Sequence, residues 1–86
     1  SISKITITGH ADRLGLDAAN QILSRRRAET VQRYLASKAV PAALLQAYAK
    51  GESEPMVNCS GDRPTAKLKA CLAPNRRVEV VVDGRE

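Results

Sequence analysis

The chain begins with alternating apolar and polar residues, which is the period of a half-buried β-strand. Ile5 and Ile7 follow this alternation, and Ile2 departs from it by one position. We therefore predict a first strand from about Ile2 to Thr8. Gly9 comes next, and its missing side chain lets the backbone turn or lets another segment approach it closely.

A helical period replaces the alternation from residue 18 to residue 37, where the chain contains neither Pro nor Gly. We predict a long amphipathic helix here, with Asp17 as its N-cap. It should end near Lys38 and Ala39, because the Val40-Pro41 pair disfavours helical geometry. The predicted buried face comprises Leu23, Ala28, Val31, Leu35 and Tyr34.

Three shorter elements are predicted in the second half of the chain: a strand at about 45–50, a helix at 65–72 and a strand from Arg76 to Val82. Residues 52–64 hold two Pro, a Gly, an Asn and the first Cys, which is the composition of a loop. The final strand has Val on both faces, so we expect it to be mostly buried and central in its sheet.

The length of 86 residues allows one domain with a thin core. Because the chain has no Phe or Trp and only two Tyr, that core must be aliphatic, which suits a small α/β layer. No apolar run approaches the 18 residues of a membrane span, and no signal peptide is recognisable. A sequence that opens inside a strand is typical of an excised fragment.

The net charge of +5 favours an anionic partner such as nucleic acid, acidic lipid or a charged wall polymer. Nucleic-acid binding is the least supported, because the strands carry no run of stacking aromatics and no recognition helix is visible. We therefore expect no nucleic-acid partner.

The two cysteines, Cys59 and Cys71, bracket a polar stretch without C-x-x-C spacing, and the chain has a single His. This pattern favours a disulfide, and hence an oxidising compartment, over a metal site. Two unpaired thiols in a cytosolic loop remain the alternative. We expect no metal, since His10, Asp12 and the cysteines lack the paired spacing of zinc ligands.

Opposite charges meet at the junction between the first strand and the long helix. Asp12 follows the strand, and Asn20, Ser24 and Arg27 form a single polar stripe on the helix. Arg27 lies one turn before Val31, so we expect it, among the three consecutive arginines, to be held near the sheet.

Asp12 and Arg27 together suit a zwitterionic ligand. Asp12 would bind its ammonium and Arg27 its carboxylate, and free amides at the helix N-terminus would bind the remaining carboxylate oxygens. A direct Asp12–Arg27 ion pair without a ligand is equally compatible with the sequence. His10 with Ser24 as nucleophile would be a catalytic alternative, but no second acid or oxyanion motif accompanies them. We therefore expect no enzyme activity.

Three ordered motifs carry a family resemblance: G-H-A-D at residues 9–12, N-x-x-L-S-x-x-R-A at 20–28 and N-R-R-V-E at 75–79. With them the chain resembles the OmpA-like C-terminal domain, the peptidoglycan-associated module of Gram-negative outer-membrane proteins. The match covers almost all of residues 1–86. Cys59 and Cys71 also resemble the disulfide loop of some members.

The resemblance implies noncovalent binding of the peptidoglycan stem peptide at diaminopimelate, without a cofactor, on the periplasmic side of the outer membrane. It implies that Asp12 holds the ligand ammonium and Arg27 its carboxylate. The resemblance adds Asn20, Leu14, Ala11 and Arg76 as further binding residues. An interaction or scaffold module with a structural Asp–Arg pair, and a basic nucleic-acid-binding domain, are the alternatives.

The sequence departs from the family in two respects. Ala11 stands where the family usually has Thr, which removes a hydroxyl beside Asp12. The family's opening strand and helix are also missing, so we expect a βαβαβ-type sandwich on a small mixed sheet that lacks them. The bare edge then predicts a homodimer or strand exchange between copies.

Overall fold

The computed structural model describes residues 2–84, which form three strands and two helices. The strands are β1 (Ile2–Gly9), β2 (Leu45–Ala49) and β3 (Val78–Gly84), and the helices are α1 (Asp17–Ser37) and α2 (Ala66–Leu72). Two short 3₁₀ turns, Ala42–Leu44 and Ala73–Asn75, lead into β2 and out of α2. Every predicted element is present.

The three strands form one mixed sheet in the order β2-β1-β3. β1 runs parallel to β2, with Ile5 opposite Leu45, and antiparallel to β3, with Ile5 opposite Val82. This confirms the predicted α+β architecture with a small mixed sheet. The parallel pair is joined by α1, which crosses over one face of the sheet, as parallel strands require.

The core lies between α1 and that face of the sheet. Ile5, Ile7, Ala28 and Leu45 are buried at its centre. Since alternate residues of a strand point to opposite faces, Ile5 and Ile7 of β1 share this face, and Thr6 and Thr8 take the other. Partly buried aliphatic residues complete the core: Val31, Leu35, Val40, Ala47 and Val78.

The start and the buried face of α1 differ from the prediction. Asp17 is the first helical residue and Leu16 is the N-cap, with no side chain capping the helix. Leu23 and Tyr34 are 40% and 60% exposed, whereas Asn20 and Ser24 are buried. The N-terminal half of α1 lies against loop backbone, so the side chains buried there are polar ones that bond that backbone.

The prediction that the final strand is central is wrong, because β3 is an edge strand and β1 occupies the centre. Val80, Val81 and Val82 are 48%, 53% and 55% exposed. The reason is the position of α1, which packs mainly on β1 and β2 and leaves both faces of β3 largely uncovered. Strand propensity reports local composition and carries no information about which neighbours a strand has.

Gly9 sets how closely α1 approaches the end of β1. A Cβ added there would overlap the carbonyl group of Ser24 and lie 3.2 Å from the amide nitrogen of Ala28. The main chains of strand and helix therefore touch at this point, and only glycine fits. This contact fixes the part of α1 that carries Arg27 over the carboxyl end of β1.

Within residues 2–84, neither α1 nor α2 combines the length and hydropathy that a membrane-spanning helix requires.

Candidate functional site

Asp12 lies just beyond the carboxyl end of β1 and is 8% exposed. Its Oδ1 accepts a hydrogen bond from the amide of Leu14 at 3.0 Å, which tightens the loop between β1 and α1. Its Oδ2 forms an ion pair with Nη1 of Arg76 at 2.6 Å. The carboxylate is thus held in one orientation from two sides.

Arg27 reaches the same junction from α1. It is partly buried, whereas Arg25 and Arg26 are exposed, as the helical period predicted. Its Nη1 donates a hydrogen bond to the carbonyl oxygen of His10 at 3.1 Å. The guanidinium therefore contacts the main chain two residues before Asp12.

The direct ion pair between Asp12 and Arg27, which the sequence left open, is not formed among residues 2–84: Asp12 pairs with Arg76 instead. Arg76 also donates to the carbonyl oxygen of Lys69 at 3.2 Å, so it joins Asp12 to α2. The two partners lie 64 positions apart in sequence. Only the folding of β3 beside β1 brings them together.

Asn20 and Leu14 organise the loop between β1 and α1. Nδ2 of Asn20 donates to the carbonyl oxygen of Leu14 at 3.0 Å, and Asn20 itself is 7% exposed. The main chain of Leu14 is thus bonded on both sides, to Asp12 and to Asn20. Ala11 is 3% exposed, and its amide donates to the carbonyl oxygen of Gly51 at 2.8 Å. All six predicted site residues consequently lie around this junction.

Two residues that support the site were not singled out for these roles from the sequence. Ser24 accepts a hydrogen bond from the amide of Gly51 at 3.0 Å and donates to the carbonyl oxygen of Gln21 at 2.9 Å. Asn75, 2% exposed, accepts from the amides of Met56 and Val57 and donates to the carbonyl oxygen of Val57. The partners of Asn75 lie 18 or 19 positions away in sequence, so no local pattern points to this role.

His10, the residue that follows β1, is fully buried. Its Nε2 lies 3.7 Å from Oε2 of Glu79, and neither ring nitrogen has a hydrogen-bond partner within residues 2–84. Burial, followed by the positive charge of Arg77, lowers the pKa of His10, and Glu79 opposes this. Among the described residues, the Ser24 hydroxyl bonds Gln21 and Gly51 and not His10, so the structure does not assemble the predicted His10–Ser24 pair.

The predicted disulfide is confirmed: Cys59 and Cys71 are bonded, with their Cα atoms 6.2 Å apart. Both sulfurs are therefore unavailable to a metal, and residues 2–84 contain no cluster of three metal-ligating side chains. Nη2 of Arg13 donates to the carbonyl oxygens of Cys59 and Gly61 at 2.8 and 2.7 Å. This arginine fastens the disulfide loop, residues 59–65 between Cys59 and α2, to the loop that carries Asp12.

One cleft adjoins the junction, and a second lies along the disulfide loop. The smaller, about 210 Å³, includes Ala11, Arg13 and Asn75 in its lining. The larger, about 550 Å³, lies between the disulfide loop and α2. Neither of these two clefts includes Asp12 or Arg27 in its lining.

The sequence of this chain is similar to one family of known proteins. Residues 1–70 match the OmpA family. The chain is 45% identical over 82 residues to outer membrane protein A of Shimwellia blattae, covering 93% of this chain and 34% of that protein. It is 46% identical over 82 residues to outer membrane protein A of Escherichia coli O157:H7, covering 93% of this chain and 24% of that protein. The chain thus spans a quarter to a third of these curated relatives.

Solved structures share the fold. The peptidoglycan-associated lipoprotein of Burkholderia pseudomallei superimposes with a TM-score of 0.80 at 30% identity, over 93% of this chain and 62% of that one. The C-terminal domain of Helicobacter pylori MotB superimposes with a TM-score of 0.73 at 21% identity, over 96% of this chain and 61% of that one. At that identity, the second similarity shows the fold alone.

Proposed function

The chain belongs to the OmpA family, and from this we propose that residues 1–86 are a peptidoglycan-binding domain that anchors an outer-membrane protein noncovalently to the cell wall. The domain works on the periplasmic side of the outer membrane. Its ligand is the diaminopimelate residue of the stem peptide. The name of the Burkholderia relative, a peptidoglycan-associated lipoprotein, supports the wall as partner.

One observation carries the ligand proposal: the hydrogen bond from Arg27 to the carbonyl oxygen of His10. It holds a cationic side chain of α1 beside the end of β1, where the carboxylate of Asp12 is also fixed. Asp12 and Arg27 carry opposite charges at one junction and, within residues 2–84, do not pair with each other, which suits the free end of diaminopimelate with its one ammonium and one carboxylate.

Asp12 binds the ammonium of diaminopimelate. A carboxylate has about four acceptor positions, and the bonds from Leu14 and Arg76 occupy two of those of Asp12. The others accept from the ligand without loss of either existing bond. Because Asp12 is 8% exposed, this charge-assisted hydrogen bond is partly shielded from water and is strengthened accordingly.

Arg27 binds the carboxylate of the same ligand end. Its guanidinium has five N–H donors, and a single bond, to His10, anchors it in place. The fixed fork of the remaining donors matches a carboxylate in two-point geometry. The N-terminus of α1, which no side chain caps, adds main-chain amides on the same side.

Arg76, Asn20, Leu14 and Ala11 position this pair. Arg76 neutralises Asp12 when no ligand is bound and links it to α2. Asn20 and Leu14 hold the loop through the bond between them. Ala11 fixes the chain next to Asp12 through its amide, and its methyl group supplies no hydroxyl to the ligand.

Cosedimentation with purified peptidoglycan tests the proposal. Asp12→Ala and Arg27→Ala should each remove most of the bound protein, because each leaves one ligand charge unmatched. Arg25→Ala is the matched control, since Arg25 is exposed on the same helix. Wild-type retention in both site variants, with folded protein confirmed by circular dichroism, would disprove the proposed site.

Titration with free diaminopimelate and with cadaverine tests the ligand. Cadaverine keeps both ammonium groups of diaminopimelate at the same spacing but has neither carboxylate, so it should bind far more weakly to the wild type. Arg27→Ala should bind the two compounds alike. Equal affinity of the wild type for both would refute recognition of the zwitterionic end.

A second function, an interaction or scaffold module, is favoured by the ion pair of Asp12 with Arg76 at 2.6 Å. In that case Asp12 would serve stability only. A double-mutant cycle on Asp12 and Arg76 would then show strong coupling in the free energy of unfolding, while diaminopimelate would leave the melting temperature unchanged. A ligand-induced rise in the melting temperature would exclude this reading.

A further inference from the structure

The disulfide loop is joined to the rest of the domain at few points. Within residues 2–84, its hydrogen bonds to any part of the chain other than α2 come from one side chain. Nη2 of Arg13 donates to the carbonyl oxygens of Cys59 and Gly61 at 2.8 and 2.7 Å. The disulfide from Cys59 to Cys71 cross-links the same loop to α2. Arg13 and the disulfide therefore hold the loop from two sides.

A second arginine joins α2 to Asp12. Nη1 of Arg76 donates to Oδ2 of Asp12 at 2.6 Å and to the carbonyl oxygen of Lys69 in α2 at 3.2 Å. Cys71 belongs to the same helix as Lys69. Among the regular elements, α2 packs mainly on the 3₁₀ turn Ala73–Asn75 that follows it. The position of α2 relative to β1 therefore depends on side-chain contacts such as that of Arg76.

Together these contacts form a closed ring that begins and ends at the carboxylate of Asp12. In order, the ring runs through Asp12, Arg13, Cys59, Cys71, Lys69 and Arg76. The disulfide is the covalent cross-link in it, and the two arginines supply hydrogen bonds. A carboxylate that is already fixed in one orientation loses less conformational freedom when a ligand binds, which raises the affinity. The closed ring therefore prepares Asp12 for its ligand.

The sheet and α1 are held by contacts outside this ring. α1 packs on β1 and β2 through the aliphatic core. Asn75 separately holds residues 56–57 through three hydrogen bonds. Cys71 is exposed and Cys59 partly exposed, so a small dithiol reaches the disulfide in the folded chain. Reduction should therefore release the disulfide loop and α2 while the rest of the domain stays folded.

We propose that Arg13 and the Cys59–Cys71 disulfide form a positioning device for Asp12, so that the affinity of the ligand site depends on the redox state of the disulfide. Arg13 is a positioning residue, because it acts on the ligand only through the neighbouring carboxylate. Reduction by a dithiol breaks the S–S bond: the two sulfurs gain two electrons and two protons, and the dithiol becomes a disulfide. The effect on affinity rests on the function proposed above, whereas the effect on Asp12 is measurable without a ligand.

Calorimetric titration with free diaminopimelate tests the device in oxidised and dithiothreitol-reduced wild type, at a temperature where circular dichroism shows both to be folded. Reduction should weaken binding about three- to tenfold, the range that one hydrogen bond contributes. Arg13→Met loses both hydrogen bonds to the disulfide loop and should weaken binding of the oxidised protein to a similar extent. Because the ring is then already open, reduction of Arg13→Met should cause little further loss.

Two controls accompany this titration. Arg25→Met removes the same charge from an exposed position of α1 and should keep the full response to reduction. Dithiothreitol should leave the affinity of Cys59→Ser/Cys71→Ser unchanged, because that variant has no disulfide to reduce.

The amide of Leu14 reports on the device without a ligand, because it donates to Oδ1 of Asp12 at 3.0 Å. Its hydrogen exchange should become about three- to tenfold faster on reduction, in line with the loss of one hydrogen bond. The amide of Gly51, which donates to the Ser24 hydroxyl outside the ring, should keep its rate.

The two readouts separate this proposal from the first one. Failure of diaminopimelate to bind the oxidised wild type refutes the ligand site, and the Leu14 amide then decides on the device: faster exchange on reduction supports it, and an unchanged rate overturns it. If diaminopimelate binds, equal affinity in the two redox states overturns the device alone. Losses from Arg13→Met and from reduction that simply add overturn it as well, because the two would then act independently.

Discussion

Replacing Gly9 by Ala should severely destabilise the domain, because β1 and α1 touch through their main chains there. The new Cβ would overlap the carbonyl group of Ser24, with its carbon 2.8 Å away, and lie 3.2 Å from the amide nitrogen of Ala28. Neither group can rotate aside, since both belong to the backbone of α1. The helix must therefore shift away from the sheet, which opens the packing of Ala28 on Ile5 and Ile7.

The cost of this shift belongs at the upper end of the range for overpacking, about 3 kcal/mol. For a domain of this size, that loss corresponds to a fall in melting temperature of roughly 12–24 °C. Thermal unfolding followed by circular dichroism measures it. Gly15→Ala is the control: its φ is +87°, but no atom lies within 4 Å of the new Cβ, so the expected cost is about 1 kcal/mol of backbone strain.

The comparison of the two glycine variants decides whether the reasoning holds. A melting temperature of Gly9→Ala within a few degrees of Gly15→Ala would show that α1 is free to move, and would refute the tight contact. The shift also moves Arg27 relative to Asp12, so, if these two residues bind diaminopimelate as proposed, the affinity should fall in folded Gly9→Ala protein and remain unchanged in Arg25→Ala, whose side chain is exposed.

Four further predictions concern stability and assembly. Burial lowers the pKa of His10 from its ordinary value of 6.5, so on acidification this residue binds a proton in the unfolded chain before it does so in the folded chain. The melting temperature should therefore fall as the pH drops below 6.5. His10→Gln should flatten this dependence, and an unchanged slope would contradict the prediction. Cys59→Ser/Cys71→Ser opens a loop with a sequence separation of 12 and should cost about 3 kcal/mol in urea unfolding. Asn75→Ala removes three hydrogen bonds to the 56–57 segment and should cost about 2–3 kcal/mol, whereas exposed Asn58→Ala should be neutral. The uncovered β3 predicts concentration-dependent self-association in analytical ultracentrifugation, which Val81→Lys should abolish; a monomer at all concentrations would contradict this.

The positions of the elements follow closely from local sequence. The alternation around Ile5 and Ile7 predicts β1, and the absence of Pro and Gly from residues 18–37 predicts α1. Both come out within one residue of the predicted bounds, because these signals depend on near neighbours alone. The same helical period selects Arg27 from three consecutive arginines, since burial on a helix depends only on angle around its axis.

The partners of the charged residues do not follow from local sequence. Asp12 pairs with Arg76 and not with Arg27, because β3 folds back beside β1 and brings a residue 64 positions away to its side. For the same reason β3, the most apolar strand, lies at the edge of the sheet: strand order depends on where α1 packs, and no single strand encodes that.

The sequence by itself therefore determined the elements and the junction of β1 with α1 as the place where opposite charges gather, and it favoured the disulfide that the structure shows. The tertiary structure alone decided which charges meet there and which remain free. The physical reason is range: backbone propensity and periodicity act over a few residues, whereas ion pairs such as Asp12–Arg76 and contacts such as Gly9 with Ser24 depend on segments that meet only when the whole chain has folded.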